Sequence, residues 1–220
     1  MTLEGTNTYV VAAPGGAFVI DPGPADPGHA EAIRRSANRH GGLAGIVLTH
    51  SHLDHSAAVP LLDAPVVEVS GGRIGPFEAL PTPGHAADHL CLLLGAVCFS
   101  GDLVLGHGSS YVPPDGGSLA SYLSSLRTLR ERAPALLCPG HGPYVGDPAA
   151  KIAEYIEHRL ERERNLLAAL ASGERSRDRL LDRVWDDVPP GLRAAAAAVM
   201  AAHLEKLDSE GALEGIELID

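Results

Sequence analysis

Four residues inside a seven-residue stretch have the types and spacing of a metal site. Thr49 to His55 reads T-H-S-H-L-D-H, which places His50 and His52 two apart, with Asp54 and His55 next. Two imidazoles so spaced on a tight loop can serve one ion, while Asp54 and His55 offer an oxygen and a nitrogen to a neighbouring one. Neutral imidazole and carboxylate suit zinc, and also iron or manganese. Two ions about 3.5–4 Å apart need a shared ligand and more donors than one loop supplies. Candidates follow in order: His85 in Thr82-Pro83-Gly84-His85, Asp102 in Ser100-Gly101-Asp102, and His141 in Pro139-Gly140-His141-Gly142. Each stands beside a glycine, which tolerates positive φ and close backbone approach. The chain has 11 histidines among 220 residues, several beside Gly, Asp or Pro, and that density calls for a chemical explanation.

The elements that must hold these loops are legible as short apolar runs broken by Gly and Pro. Thr8–Ala12 and Ala17–Ile20 read as strands, Pro27–Arg39 as a helix, and Gly45–Leu48 as a buried strand leading into the histidine loop. Val66–Val69 and the Ile74–Leu80 region read as further strands. Leu90–Leu94 and Ala96–Phe99 read as a hairpin about Gly95, Leu119–Arg132 as a helix capped by Ser118, and Leu136–Cys138 as a short strand. Loops at the ends of several strands can meet on one rim. Beyond Gly146 the texture is helical. Ala149–Ala171 carries Ile152, Tyr155, Ile156, Leu160, Leu167 and Leu170 on one face, and Arg177–Val184 and Leu192–Leu207 follow, with a turn and short strand at the end. The expected organisation is a catalytic domain over residues 1–148 and a helical appendix over 149–220, built round a helix-turn-helix.

Bulk properties narrow the classes. Net charge is −11, which disfavours non-specific binding to nucleic acid or anionic membrane unless a local groove or bound cations intervene. Cys91, Cys98 and Cys138 are odd in number and lack C-x-x-C spacing, so free thiols in a reducing cytoplasm are expected. Met1 to Gly5 shows no basic segment leading into an apolar run, and no apolar stretch reaches about 18 residues, so neither a signal peptide nor a membrane span is expected. The Ala-, Arg- and Gly-rich usage suits a bacterial genome of high GC content.

The set His50, His52, Asp54, His55, His85, Asp102 and His141 resembles the metallo-β-lactamase superfamily signature. The resemblance implies an α+β four-layer αββα sandwich. It also implies that His50, His52 and His85 hold one metal, that Asp54, His55 and His141 hold the second, and that Asp102 bridges them. Gly5-Thr6-Asn7-Thr8-Tyr9, Ile20-Asp21-Pro22-Gly23, Phe99-Ser100-Gly101-Asp102 and Tyr155-Ile156-x-His158-Arg159 are similar to the lactamase-β-like-protein-2 branch, whose members carry a C-terminal winged-helix appendix. In that branch are an endoribonuclease acting on single-stranded RNA and thioesterase-like or hydroxyacyl-glutathione-hydrolase-like cousins. Two departures stand out. Relatives usually carry a further strand before Gly5-Thr6-Asn7, whereas this sequence starts almost on it, so either its start is misassigned or a strand is missing, which would expose a sheet edge. Ser56-Ala57-Ala58 replaces a frequent Gly-Gly.

The resulting expectation is a hydrolase with two divalent metal ions, zinc before iron or manganese. It uses a metal-bridging hydroxide on an ester, thioester or similar acyl bond, with Asp54 orienting the water and passing its proton. The alternatives are a nuclease on single-stranded nucleic acid and a non-enzymatic winged-helix regulator with a metal sensor. β-Lactamase activity ranks last without an export signal, and there is no room for a flavodoxin-like domain. Asp21 is either a turn residue or a hydrogen-bond acceptor for a ligand histidine. His89 and His107 are candidates for substrate contact, against a satisfied buried histidine and a solvated loop. His158 and Arg159 are candidates for holding an anionic substrate group, against a helix surface paired with Glu154, Glu161 or Glu163. His29, His40 and His203 read as surface residues. Tyr111 and Tyr144 either line the cleft or pack against loops. Residues 151–220 hold ten Lys and Arg against fifteen Asp and Glu, so these helices read as a lid or a homodimer contact before a nucleic-acid reader.

Overall fold

Short alternating runs become strands and runs with apolar residues every third or fourth position become helices, as their periodicities require. The computed structural model of the protein describes residues 5–69 and 72–219. β1 (Tyr9–Ala13) turns through Pro14-Gly15 into antiparallel β2 (Gly16–Ile20), with Tyr9 opposite Ile20. α1 (Pro27–Asn38) starts at Asp26, whose carboxylate accepts from the His29 amide at 2.6 Å, and leads to β3 (Leu43–Val47), parallel to β2. The short α2 (Leu53–Ser56) lies inside the histidine loop. β4 (Arg73–Ile74), β5 (Phe77–Pro81), β6 (Leu90–Leu94) and β7 (Val97–Gly101) pair antiparallel in sequence. α3 (Leu119–Glu131), capped by Ser118, crosses to β8 (Leu136–Pro139), parallel to β7. α4 (Pro148–Ala171), α5 (Arg177–Val184) and α6 (Arg193–Ser209) complete the chain.

The strands form two sheets, β1-β2-β3 and β4-β5-β6-β7-β8. Their facing sides bury Ile20 and Val47 against Phe77, Leu92, Phe99 and Cys138, with Phe77 and Phe99 edge-to-face at 5.7 Å between ring centres. The outer side of the first sheet packs Val19 and Ile46 on Ala30 and Ile33 of α1. The outer side of the second packs Leu80, Cys91, Leu93, Cys98 and Leu137 on Leu119, Tyr122, Leu123, Leu126 and Leu129 of α3 and on Ile152, Tyr155 and Ile156 of α4. The layers are therefore helix, sheet, sheet, helix, an α+β αββα sandwich. Burying one such Leu or Phe is worth about 1.5–3 kcal/mol, so the three interfaces hold the strand ends firmly. Among the described residues β1 pairs with β2 alone and lies at its sheet's edge.

Several expectations resolve differently. Val66–Val69 forms no strand; Val66 makes one isolated parallel bridge to Ile46. The expected boundary after residue 148 falls inside α4, which begins at Pro148 and is shared by two cores. Its first half packs on α3, while Leu166, Ala169 and Leu170 pack with Leu180, Leu181, Val199, Leu204 and Leu207 of α5 and α6. The tail forms one bridge, Ser176 to Ile219, and among the described residues no two-stranded wing. Gly211 and Gly215, both at φ 75°, turn the chain so that Leu213 and Ile216 pack on the helices instead of pairing. His203 is not a surface residue: it is fully buried on α6, 5.7 Å from the Trp185 ring. The alanine-rich run before it carries no polar stripe to mark which face lies inside. The Met1–Glu4 part of the N-terminal reading lies outside the described residues, and among the described residues no helix is long and apolar enough to cross a membrane.

Candidate metal centre

β2 and β3 run the same way, and so do β5, β7 and β8, because β5 and β7 both pair antiparallel with β6. Asp21, His50 to His55, His85, Asp102 and His141 follow the carboxyl ends of β2, β3, β5, β7 and β8 respectively, so all lie where the two sheets' loops meet. Three donor groups result, each with its ligand atoms within 4.8 Å of one another: His50, His52 and His85; His50, His55 and Asp102; Asp54, His55 and His141. His52 Nδ1 lies 3.0 Å from both His50 Nε2 and His85 Nε2. Asp102 stands between the outer groups, with Oδ2 3.7 Å from His85 Nε2 and 3.4 Å from His141 Nε2, and Oδ1 3.4 Å from His55 Nε2. Asp54 Oδ2 is 3.3 Å from His141 Nε2.

These donors fit divalent ions. His55 Nε2 and Asp102 Oδ1 are buried without the alignment of a hydrogen bond to each other or to any other described group. Orphaned buried polar atoms are costly, and both point into the cluster, where a cation would satisfy them. The remaining ring nitrogens are already committed. His55 Nδ1 donates to Asp21 Oδ2 at 2.9 Å, His85 Nδ1 to the Tyr111 carbonyl at 2.7 Å, and His141 Nδ1 to the Gly5 carbonyl at 2.8 Å. Each bond keeps the proton on Nδ1 and turns Nε2 inward, the second half of a metal-binding histidine's design. Asp21, left-handed at φ 48°, also accepts from Thr49 N at 2.8 Å and Thr49 Oγ1 at 2.7 Å, which ties β2 to the histidine loop.

Close packing leaves little freedom. A Cβ on Gly140 would stand 2.5 Å from Asp102 Oδ1 and 2.7 Å from His55 Cε1. Asn7 Nδ2 spans the His141 loop, donating to the Pro139 carbonyl at 3.0 Å and the Gly142 carbonyl at 2.7 Å. Although burial opposes it, the Asp102 and Asp21 carboxylates hold the His55 imidazole up at about 10, and Asp102 with Asp54 does the same for His141. Burial pushes His50 and His85 down. The bond to His141 keeps Asp54 below the usual carboxylate range, so it is ionised at neutral pH. The side of the cluster around His55 and His141 therefore has a high affinity for positive charge, while burial keeps His50 and His85 neutral, the form in which an imidazole can donate to a metal.

The other singled-out residues separate into supports and bystanders. His89 is buried, pushed down to about 3 by burial, and its Nε2 accepts from the Asp102 amide at 3.1 Å; it seats Asp102 from behind. His107 is exposed on the loop after β7. His158 is half-buried on α4, and Arg159 is buried, with Nη2 donating to Ser109 Oγ at 3.0 Å and to the Ser110 carbonyl. Leu53, between the ligand positions His52 and Asp54, is exposed by 76%, and Tyr111 and Tyr144, which follow the β7 and β8 loops, by 44 and 64%. The roles of Thr49, Asn7 and Ser110 went unread. Thr49 and Asn7 lie within recognised motifs, but the carbonyls of Gly5 and Tyr111 have no side-chain signature, since any residue offers the same oxygen.

The family model of the metallo-beta-lactamase superfamily matches residues 1–66 and 65–141. The chain is 36% identical over 207 residues to the lactamase-like protein adaB of Aspergillus niger, covering 82% of this chain and 62% of that one. It is 30% identical over 253 residues to the beta-lactamase-like protein 2 homolog of Caenorhabditis elegans, covering 97% and 82%. It is 34% identical over 195 residues to an atrochrysone carboxyl ACP thioesterase of Aspergillus chevalieri, covering 76% and 61%. The chain thus spans less than two thirds of the two Aspergillus relatives. Among solved structures, a beta-lactamase domain protein from Burkholderia ambifaria superposes with a TM-score of 0.75 at 22% identity, covering 93% of this chain and 81% of that one. A protein solved in a di-iron-bound form superposes at 0.56 with 28% identity, covering 68% and 93%.

Proposed function

Because the chain belongs to the metallo-β-lactamase superfamily, we propose that it is a dinuclear-metal-dependent hydrolase of acyl bonds, thioesters foremost. The observation that carries this reading is the convergence of His50, His52 and His85 on one side of Asp102 and of His55, His141 and Asp54 on the other. On this reading the first three hold one ion, the second three hold another, and Asp102 is shared. Divalent ions in such a donor set supply acidity to water and polarise a substrate oxygen. Asp54 is the ligand carboxylate with solvent access, its side chain 23% exposed, and it is ionised at neutral pH. It therefore orients an incoming water and accepts its proton. Asp21, His89, Tyr111 and Gly5 keep the imidazoles turned inward and the Asp102 backbone in place.

Three features favour an acyl substrate. Leu53 exposes an apolar side chain between His52 and Asp54, the chain's net charge of −11 opposes a polyanion, and one relative is named a thioesterase. The helices beyond residue 148 act on this reading as a cover and support for the catalytic layers. Parallel assays of an acyl-thioester panel and a labelled single-stranded RNA, each with and without chelator, test the proposal. Chelator-sensitive thioester hydrolysis is the expected result. RNA cleavage without thioester turnover would reassign the substrate, and chelator-insensitive turnover would remove the metal from the reaction.

A further inference from the structure

α4 grips the loop between β7 and α3 at two points one helical turn apart. Tyr155 Oη accepts from Leu105 N at 3.1 Å and donates to the Gly108 carbonyl at 2.8 Å. Arg159 Nη2 donates to Ser109 Oγ at 3.0 Å and to the Ser110 carbonyl, and its guanidinium lies 5.5 Å from the Tyr122 ring centre. Arg159 is only 3% exposed, which leaves it no access to a substrate in the cleft. From Ser110 the connection reaches the metal centre by two routes. Ser110 Oγ donates to the Asp102 carbonyl at 2.6 Å and lies 3.5 Å from His85 Nδ1. The next carbonyl, that of Tyr111, accepts the His85 Nδ1 proton at 2.7 Å.

Between residues 106 and 111 only Ser110 is buried, so the loop has little apolar packing of its own to fix its course. A buried guanidinium, conversely, is tolerable only where it is hydrogen-bonded, and Arg159 spends its bonds on this loop. We propose that Arg159, helped by Tyr155, is a positioning residue for the metal centre: through Ser110 and Tyr111 it aims His85 and seats Asp102, so that α4 sets how tightly the ions are held. This rests on the metal-centre reading above. Groups that orient metal ligands typically change affinity by about 10–100-fold when removed.

Chelator competition for Co2+ on the full chain tests this with a control on the same helix. Arg162 is also buried, but its bonds go to the Val184 carbonyl and Asp187, within the α5–α6 cluster. Arg159→Met and Arg162→Met should both lower the melting temperature of the metal-free chain. Only Arg159→Met should weaken Co2+ binding, by about 10–100-fold, and shift the visible Co2+ absorption bands. Arg159→Lys, which keeps a donor for the Ser110 carbonyl, should recover most of the affinity. Unchanged affinity in Arg159→Met, or equal losses at both positions, would overturn the proposal. If Arg159→Met does not fold, Tyr155→Phe decides in its place, with a loss of about 10-fold expected and unchanged affinity refuting. Wild-type protein that binds no Co2+ would instead refute the metal-centre reading itself.

Discussion

Replacing Asp21 by Asn tests the support of the metal centre at one oxygen. The Asp21 carboxylate must accept at both ends: Oδ1 from Thr49 N at 2.8 Å, and Oδ2 from His55 Nδ1 at 2.9 Å and Thr49 Oγ1 at 2.7 Å. A carboxamide has one accepting end. If its oxygen faces Thr49, its NH2 meets His55 Nδ1 and drives the proton to Nε2, the nitrogen 3.4 Å from Asp102, where it blocks coordination. That costs about 10–100-fold in metal affinity, or about 1.4–2.8 kcal/mol. If its oxygen faces His55, two N–H groups confront each other and the Thr49 amide is left unpaired, at about 1–3 kcal/mol. Asn tolerates the left-handed backbone of this position, so the effect isolates the side chain. Either orientation should lower the melting temperature of the metal-loaded protein by roughly 2–12 °C. Chelator competition reads the loss of affinity, and because the Asp21 carboxylate also holds the His55 imidazolium of the metal-free chain, that form should melt lower as well. A variant with wild-type affinity and wild-type melting in both states would refute the reasoning.

Gly140→Ala drives a methyl against Asp102 Oδ1 and His55 Cε1, at 2.5 and 2.7 Å, and should reduce bound metal while leaving the far-ultraviolet circular dichroism intact; full metal occupancy would contradict the packing argument. Asp54→Asn should keep the fold, because its side chain is partly exposed, and lose at least about 100-fold in turnover as a water-orienting base; steady-state kinetics checks this, and near-wild-type rates would exclude Asp54 from proton transfer. Burial, reinforced by Arg159 and Lys206, pushes His203 from its ordinary 6.5 down to about 3. Between those values the unfolded chain takes up a proton that the folded chain refuses, so stability falls as pH drops from 6.5 toward 3, by at most ~1.4 kcal/mol per unit. His203→Leu also removes two unpartnered ring nitrogens, so urea melts should show it more stable than wild type at pH 5 by roughly 2 kcal/mol; an identical pH slope in both proteins would show that His203 is not the group responsible.

The strand-and-helix order of the sandwich was legible because its apolar runs are short, periodic and bounded by Gly and Pro, from Pro14-Gly15 after β1 to Ser172-Gly173 after α4. The ligand cluster was legible because histidine and aspartate beside glycine in loops serve few other purposes. Three things were not. The Val66 segment has strand-like composition, but a strand needs a pairing partner along its length, and only Ile46 answers it. His203 sits in a helix whose alanines give no polar face to contrast with a buried one, so its inward direction left no periodic trace. Arg159 reads either as a holder of an anionic substrate group or as a surface cation paired with Glu154, Glu161 or Glu163, because the loop that receives its bonds lies about fifty residues earlier in the chain. Contacts of that separation belong to the packing of α4 on the second sheet and have no local signature.

The central claim is that two ions occupy one centre. Elemental analysis of the chain purified and loaded with a single divalent metal, then freed of excess, measures it directly. The seven converging ligands predict close to two ions per chain, as expected of two donor sets that share Asp102. A value near zero would contradict the metal centre, and a saturating value of one would contradict the shared role of Asp102.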